Sequence, residues 1–307
     1  MVSDIPYPKL KVFYHVARCG GYSRAAAVLC ITKGAVSMQV NDLEQRLGRQ
    51  LFDRSNRKTV LTPHGVNLFD LVAPIVERCE SIGLEFEKIA GKIKGEVKIA
   101  SWTGLLLHVL PKYVTNFRET YPECDIVLIN TTGKEIRSLL LAGDVDFSIG
   151  SMATVSPEII GKELWRFHRY CIAPLGHPLS KRKKVTFEDL AKYPIVMADR
   201  EGTGGIYLER MLRACNPNLR VTMEAASWEV VMKYVEMGMG VSMAPAIVFQ
   251  PKDKKRMFFC DMTVSDERVG YSRHGILIKK GKYLSPAAEE FIRSLSSNVN
   301  TAEEFLF

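Results

Sequence analysis

The sequence predicts a multidomain α+β protein, in which a small basic helical domain and a long helix precede a larger α/β body. Its 307 residues are enough for two or three packed units. The charge is uneven, because residues 9–64 hold ten lysines and arginines against three acidic residues, in a chain whose net charge is +8. Beyond residue 95, strand-like runs alternate with helix-like runs, which is typical of βαβ units. A basic head on a near-neutral body indicates nucleic-acid binding; a merely soluble basic face is the alternative.

Composition excludes several other classes. The longest apolar runs, such as LLLHVL at 105–110, are far shorter than the roughly 20 residues that cross a bilayer. The first residues, MVSDIPYPKLKV, lack the features of a secretory signal, so we expect a cytoplasmic protein without a membrane partner. The seven cysteines are scattered, without a CxxC or zinc-type spacing. We expect reduced, mostly buried thiols; the alternative is a redox sensor, which usually needs a nearby resolving cysteine.

The first two elements are predicted to be helices. Apolar residues at 10, 13, 14 and 17 follow helical spacing, and the CGG sequence at 19–21 ends that helix. Ser23 suits an N-cap, because its hydroxyl can accept from a backbone N–H that has no partner within the helix. The three alanines at 25–27 are strong helix formers. We therefore expect a short second helix with a small face that another helix can approach closely.

A third helix is predicted from about Lys33 to Leu47, with Thr32 as its N-cap. Its apolar residues at 36, 40, 43 and 47 repeat at helical spacing and should face inward. The second and third helices together predict a helix-turn-helix, in which side chains at the start of the later helix reach bases in the major groove. An ordinary helical hairpin is the alternative. The outward set comprises Lys33, Ser37, Met38, Asn41 and Gln45, with Gln39 near the boundary.

The sequence LFDRSNRKTVLTPHG after Gly48 predicts a basic hairpin. Arg54, Arg57 and Lys58 occupy a polar turn between two short extended pieces. Such a hairpin is a wing, whose cations would neutralise phosphates and fix the register without reading sequence. A solvated loop is the alternative.

The next segment predicts a helix with a partner. Its apolar residues step by four and three as in a heptad seam, and such a seam favours a second helix. Packing against the chain's own body is the alternative. Pro74 lies inside the pattern and is expected to kink the helix. The linker GKIKGEVKIA at 91–100 then leads into a strand of a new domain. The seam consists of Leu68, Val72, Ile75, Cys79, Ile82, Phe86 and Ile89.

These residues resemble the LysR-type transcriptional regulators. The resemblance lies in LKVFYHVARCGGYSRAAAVLCITKGAVSMQVNDLEQRLGRQLFDRSNRKTVLTPHG, where the family has an aromatic-Ser-x-Ala-Ala second helix and Ser-Gln-Pro-Ala-x-Ser at its recognition helix. It implies a winged helix-turn-helix whose wing contains Arg54, Arg57 and Lys58. Lys33, Gly34 and Met38 stand where the family commonly has Gln, Pro and Arg or His, so the operator sequence should differ. The expected DNA-binding residues are these wing cations with Ser23, Thr32, Lys33, Ser37, Met38 and Gln39.

The resemblance extends over the body, through RYCIAPLGHPLS and WEVVMKYVEMGMGVSMAP. It implies a C-terminal two-lobed α/β domain like a periplasmic binding protein, with a ligand in the cleft between the lobes. It also implies a linker helix that pairs subunits and a dimer of dimers. The expected domains are a winged helix-turn-helix over 1–65, with the helix-turn-helix at about 21–40, a linker and dimerisation helix over 66–91, and an effector-binding domain over 92–307. Within it, lobe I covers about 92–165 and 269–307, and lobe II about 166–268.

The sequence also suggests where a ligand binds in the body. Ser101 and Thr103 lie between a strand and a helix, where free backbone N–H groups favour an anion. Thr132 precedes another helix, and Gly202 with Thr203 follows a strand of the second lobe. We therefore expect an effector that presents a carboxylate or another small anion, although helix capping alone explains any one of these hydroxyls.

No motif indicates catalysis, a metal site or a cofactor. The sequence lacks a Walker loop, a GxGxxG between strand and helix, an HExxH and a GxSxG, and its histidines are isolated. We interpret it as a regulator of transcription in which an effector favours one lobe arrangement and so alters the bound DNA. The expected partners are double-stranded promoter DNA, the effector, further copies of the chain as a dimer or dimer of dimers, and RNA polymerase. The rivals are a solute-binding protein or enzyme, and a constitutive DNA-binding protein.

Overall fold

The computed structural model describes residues 5–53, 59–200, 203–262 and 270–297. The side chains of residues 203, 204 and 297 are not described. The chain forms two compact units. The first extends to Ala90 and includes Gly281–Ser285, and the second comprises Gly91–Lys280 and the chain from Pro286.

The first unit begins with three helices and a small hairpin. Gly20, with φ of 62°, ends the first helix in a left-handed turn. Its backbone N–H groups and those of Gly21 return to the carbonyls of Ala17 and Val16. Thr32 caps the third helix by accepting from Ala35 N at 3.1 Å, as the sequence predicts. The elements are α1 (Tyr7–Cys19), α2 (Tyr22–Leu29), α3 (Lys33–Leu47), β1 (Phe52–Asp53) and β2 (Val60–Leu61).

The prediction that Ser23 caps α2 is wrong. The helix begins two residues earlier than predicted, at Tyr22, and the extended residue Gly21 holds the N-cap position. The left-handed turn at Gly20 leaves Gly21 to lead directly into the helix, so Ser23 lies within the first turn, where its side chain is exposed.

The core of this unit is built from the inward faces of the helices and the hairpin. Phe13 of α1 lies against Phe52 of β1, with ring centroids 5.5 Å apart, and both rings are buried. Tyr22 of α2 packs on the same ring of Phe52 at 5.8 Å. Of the inward residues of α3 that the periodicity predicts, Val36, Val40 and Leu43 are fully buried in this cluster, and Leu47 is partly buried.

The linker segment forms two helices, α4 (Pro63–Glu80) and α5 (Ile82–Ile89). α4 continues as a helix through Pro74, and the helical run is interrupted at Ser81. Val72 is buried in the core of the first unit, so its place in the predicted seam is wrong. Leu71 is exposed beside it. The exposed apolar face therefore consists of Leu71, Ile75, Ile82, Phe86 and Ile89.

The short segment Gly281–Ser285 packs with this unit, whereas the sequence prediction placed it in lobe I. Lys282 Nζ donates to Glu77 of α4 at 2.9 Å, and the hydroxyl of Tyr283 donates to Glu85 of α5 at 2.7 Å. Ser81 Oγ lies 2.6 Å from that hydroxyl. These polar contacts surround the interruption between α4 and α5.

The second unit alternates strands and helices, as predicted. Its elements are β3 (Gly95–Ser101), α6 (Thr103–His108), α7 (Leu110–Thr120), β4 (Cys124–Asn130), α8 (Gly133–Ala142), β5 (Phe147–Ser151), β6 (Ile159–Pro174), α9 (Phe187–Leu190), β7 (Ile195–Ala198), α10 (Thr203–Cys215), β8 (Val221–Ala225), α11 (Trp228–Glu236), β9 (Ser242–Pro245), β10 (Met257–Asp261), β11 (Tyr271–Lys279) and α12 (Pro286–Ser297). The main sheet has the order β10, β6, β11, β5, β3, β4, and β9 also pairs with β6.

The 16-residue strand β6 joins two lobes. Its first part pairs with β11, which belongs to the sheet of β3, β4 and β5, and its last part pairs with β9 and β10. The parallel pair β7 and β8 continues the second lobe, because Val241 before β9 forms a bridge with Ile195 of β7. The parallel strands β3, β4, β5 and β7 each lead towards the cleft between the lobes with their carboxyl ends.

The cysteines are less buried than expected. Cys124 and Cys171 are buried, but Cys30, Cys79 and Cys215 are exposed. Cys171 lies opposite Cys260 in neighbouring strands, and burial raises the pKa of both thiols, which disfavours the reactive thiolate. Across the described ranges, the structure contains no helix long and apolar enough to cross a membrane.

Candidate functional site

The first candidate site is the outer face of the helix-turn-helix. Cys30, with φ of 54°, turns the chain between α2 and α3 in a left-handed conformation. The N-terminal half of α3 then presents Lys33 and Met38 to solvent, and the Met38 side chain is 67% exposed. Ser37 and Gln39 are half-buried on either side of this face. Thr32 is exposed, and its hydroxyl can still donate while it caps the helix. The predicted set is thus gathered at one end of α3.

The hairpin after α3 is attached by buried polar contacts. The carboxylate of Glu44 in α3 accepts from Leu51 N at 2.7 Å and from Phe52 N at 3.3 Å. On the other side, the hydroxyl of Thr62 donates to the carbonyl of Gln50 at 2.7 Å. The hairpin base is therefore fixed to the recognition helix. The predicted wing cations Arg54, Arg57 and Lys58 lie outside the described residues.

Some of the basic residues of this unit are paired within it. Asp42 of α3 lies 2.6 Å from Lys9 Nζ and 2.9 Å from Arg46 Nε. The hydrogen bond from Lys9, followed by that from Arg46, holds the pKa of the Asp42 carboxyl below its usual range. The positive charges of Lys9 and Arg46 are accordingly partly neutralised.

The second candidate site is the cleft between the two lobes. It is a cavity of about 340 Å³. The aromatic side chains of Trp102 and Trp228 lie on its walls, together with Tyr207. Gly104 allows the Trp102 indole to lie flat on α6, because a Cβ at Gly104 would come within 2.0 Å of that ring. The cavity is large enough for a ligand of roughly the size of one substituted ring.

Protein carboxylates occupy one helix end at the rim of this cleft. Thr132 caps α8, and the carboxylate of Glu135 accepts from Thr131 Oγ1 at 2.6 Å and from Thr132 N at 3.0 Å. These hydrogen bonds lower the pKa of Glu135. From the other lobe, Asp199 Oδ2 accepts from Gly133 N at 3.0 Å. The anion-binding capacity at this helix end is therefore already used within the chain.

The predicted effector residues are only partly brought together. Thr103 and Thr132 line the cleft, and Thr103 Oγ1 donates to Asn130 at 3.1 Å. Ser101 does not belong to the site: it is fully buried, and its hydroxyl donates to the carbonyl of Ile149 at 2.6 Å, which joins β3 to β5. Gly202 lies outside the described residues. Thr203 begins α10, but its side chain is not described.

Two polar residues in the cleft carry no sequence motif. Arg169 lies on β6 within the run FHRYCIAP, and burial lowers the pKa of its guanidinium. His274 lies on β11 and is 4% exposed, with its ring 5.8 Å from Trp102 and 5.5 Å from Phe167. Burial, and then the charge of Arg169, lower the pKa of His274 to about 3, so its ring is neutral.

A bulge in β11 helps to place His274. The pairing of β11 with β6 shifts register between His274 and Gly275. A Cβ at Gly275 would come within 2.0 Å of the Lys162 carbonyl oxygen, so the close approach of the strands requires glycine. Bulges redirect neighbouring side chains, and this one accompanies a histidine that faces the cleft.

Comparison with protein families matches both units. The model for the bacterial regulatory helix-turn-helix protein, lysR family, matches residues 8–66. The model for the LysR substrate binding domain matches residues 90–300.

The chain belongs to the LysR family.

Individual relatives of this LysR-family regulator match it over almost its whole length. The HTH-type transcriptional regulator SsuR of Burkholderia cenocepacia is 27% identical over 287 residues, which cover 92% of this chain and 91% of that protein. A full-length OxyR variant from Pseudomonas aeruginosa has a similar fold, with a TM-score of 0.73 and 19% identity over 97% of this chain and 95% of that chain. CbnR complexed with its target DNA gives a TM-score of 0.54 and 18% identity over 94% and 98%.

The family assigns the two units their general roles. The protein is a DNA-binding transcriptional regulator with an N-terminal helix-turn-helix and a C-terminal effector-binding domain, and its family consists of regulators, not enzymes.

Proposed function

We propose that this LysR-family regulator reads its operator with the N-terminal half of α3 and responds to a small anionic effector in the cleft. The observation that carries the proposal is the gathering of exposed side chains at one end of α3, on a helix fixed by the Thr32 cap and the Glu44 contacts. Gln39 can pair with an adenine edge, and Lys33 can donate to guanine or phosphate. Met38 offers apolar contact, for example to a thymine methyl group.

The remaining polar residues would position the head on the DNA. Ser23 lies in the first turn of α2, where backbone N–H groups favour a phosphate, and Thr32 and Ser37 can donate from the start of α3. Arg54, Arg57 and Lys58 would contact phosphates from the wing. Such contacts set affinity and register, while the base contacts of α3 set the preferred sequence.

The exposed apolar face of α4 and α5 supports a homodimer. Phe86 is 71% exposed and Ile89 85% exposed, and several exposed apolar side chains on one segment are typical of a surface that another chain covers. We propose that two copies pair along this face, and that two such dimers form the tetramer that the family resemblance implies. A dimer presents two heads, so the operator would contain two half-sites.

Promoter binding implies two further proposals. The regulator would act on RNA polymerase at the promoter, and it would act in the cytoplasm. We also propose the domain limits 1–65, 66–91 and 92–307 as its functional division into head, linker and effector-binding domain.

The experiment that tests this function selects binding sites from random DNA with the full-length protein and measures its mass by sedimentation. The expected result is a dimer or tetramer that enriches a sequence with two related half-sites. Phe86→Glu should yield a monomer that loses the paired half-sites, whereas Leu107→Glu, at an exposed apolar residue of α6, should behave as the unaltered protein. Enrichment of no sequence, or an unchanged oligomer in Phe86→Glu, would contradict the proposal.

A further inference from the structure

The unpartnered nitrogen of His274 points to a missing ligand atom. Among the residues that the structure describes, Nδ1 of His274 has no hydrogen-bond partner, although the atom is buried and the residue lines the cleft. Buried polar atoms are almost always paired, and an unpaired one destabilises the folded protein. A histidine that destabilises the fold in this way is explained if a bound ligand supplies the hydrogen-bond partner of Nδ1.

The tautomer of His274 determines what that partner must be. Ser272 Oγ lies 3.5 Å from Nε2 of the same ring. If the serine donates to Nε2, the proton of the neutral imidazole resides on Nδ1, which then donates into the cleft. The guanidinium of Arg169 lines the same cavity and can only donate. Donors from two different strands therefore face one space.

We propose that Arg169 and His274 form the subsite that binds the negative group of the effector, and that the effector is an organic oxyanion with a flat apolar body. This inference rests on the proposed effector function of the cleft and names the chemistry of its ligand. One oxygen of a carboxylate or sulfonate would accept from Arg169 and another from Nδ1 of His274. The body would lie between the aromatic walls that Trp102 and Trp228 provide.

The surrounding charges favour this subsite over the rim of α8. At that rim Glu135 and Asp199 already accept the available N–H groups, and their charges repel an anion. Arg169 is half-buried, whereas Glu135 is exposed, and a cation that is shielded from solvent interacts more strongly with an anion than an exposed one. The neutral His274 adds a donor without adding a second buried charge. The anionic group should accordingly be bound at the crossing strands β6 and β11.

The experiment uses the full-length protein and four probes: benzoate, benzenesulfonate, benzamide and inorganic sulfate. Benzoate and benzenesulfonate distinguish the two oxyanions, benzamide retains the shape without the charge, and sulfate retains the charge without the ring. Two of the chain's three tryptophans line the cleft, so tryptophan fluorescence reports occupancy. We expect one or both aromatic anions to bind at least about tenfold more tightly than benzamide or sulfate.

The variants Arg169→Met and His274→Phe should each weaken that binding by at least about tenfold. Phenylalanine keeps the ring contacts with Trp102 and Phe167 and removes the unpaired nitrogen, so His274→Phe should unfold at the same or a higher temperature. A residue with a merely structural role would show the reverse. The control is Arg273→Met, since Arg273 precedes His274 but pairs with Glu163 at 2.6 Å on the exposed side. It should bind the probes normally.

Unchanged binding in both cleft variants, or benzamide binding as tight as that of the anions, would overturn the subsite. If no probe binds, adding a metabolite extract to the DNA complex distinguishes a wrong ligand class from a wrong effector function. An extract that still alters the DNA complex leaves the proposed regulator function intact and shows that the ligand class is wrong. An extract without effect contradicts the effector function as well.

Discussion

The outer face of α3 and the inter-lobe cleft present polar groups in opposite surroundings. On α3 the side chains meet water, as the 67% exposure of Met38 shows, and an unpaired group there loses little. In the cleft His274 is buried and Arg169 is half-buried, and a buried group that lacks its partner is costly. The head can therefore change its preferred operator at small energetic cost. We expect the cleft to bind a ligand with the matching charge much more tightly than a neutral ligand of the same shape.

The largest expected effect tests whether the two units fold separately. Phe13→Ala removes a fully buried ring from the first unit and should lower its stability by about 3 to 5 kcal/mol. DNA binding should be lost, whereas probe binding in the cleft should remain. DNA titration and thermal unfolding followed by circular dichroism report the first unit, and tryptophan fluorescence reports the second, since every tryptophan of the chain lies there.

The matched variant is Phe117→Ala in the second unit. Phe117 is buried, and its ring centroid lies 4.9 Å from that of Phe291. This change should have the converse effect, with loss of probe binding and retention of DNA binding. If each variant instead abolishes both activities, the two units do not fold independently and the comparison between them fails.

The next effect concerns sequence reading by α3. Gln39→Ala should cost about 1 to 3 kcal/mol on the selected operator and relax the preference at one base pair, if Gln39 contacts a base edge. Gln45→Ala, on the exposed C-terminal half of the same helix, should cost much less. Fluorescence anisotropy on the operator and on random DNA measures the difference. An equal loss on both DNAs would assign Gln39 to the backbone.

A smaller effect, on stability, distinguishes the buried site from the exposed one. The unfolded chain binds a proton at His274 below about pH 6.5, but in the folded protein the pKa of His274 is about 3. This lowered pKa stabilises the fold above pH 6.5, and the stabilisation is lost as the pH falls towards 3. Between pH 7 and 5 the loss from this residue should be about 2 kcal/mol. Urea unfolding at both pH values should show a smaller loss in His274→Phe, and an identical loss would contradict the burial argument.

The first unit could be predicted from sequence because its signals are local. Thr32 and Ala35 lie one helical turn apart, so the cap and the start of α3 follow from neighbouring residues. The wrong prediction for Ser23 also rests on a local signal. Ser23 is a good capping residue, but after the turn at Gly20 and Gly21 the helix begins before it. The order of strands and helices in the second unit could also be predicted from the sequence, since each element has its own periodicity.

The cleft could not be predicted from the sequence, because segments that are far apart in the chain form it. The sequence predicts that Ser101 binds the ligand at the start of a helix. Its hydroxyl instead donates to the carbonyl of Ile149 on β5, and the sequence does not show that β5 lies beside β3. Arg169 and His274 come from two strands, β6 and β11, and neither carries a local motif. The two side chains come together only when the sheet pairs these strands and both residues line one cavity.

The most direct test of the account is a footprint of the full-length protein on its selected operator, with and without the bound effector or best aromatic anion. We expect the ligand to change the protected region with the unaltered protein and with Arg273→Met. Arg169→Met should protect the same basal region and show no change at that ligand concentration, because the cleft no longer binds the ligand. A footprint that changes equally in Arg169→Met, or that never changes in the unaltered protein, would contradict a regulator controlled through this cleft.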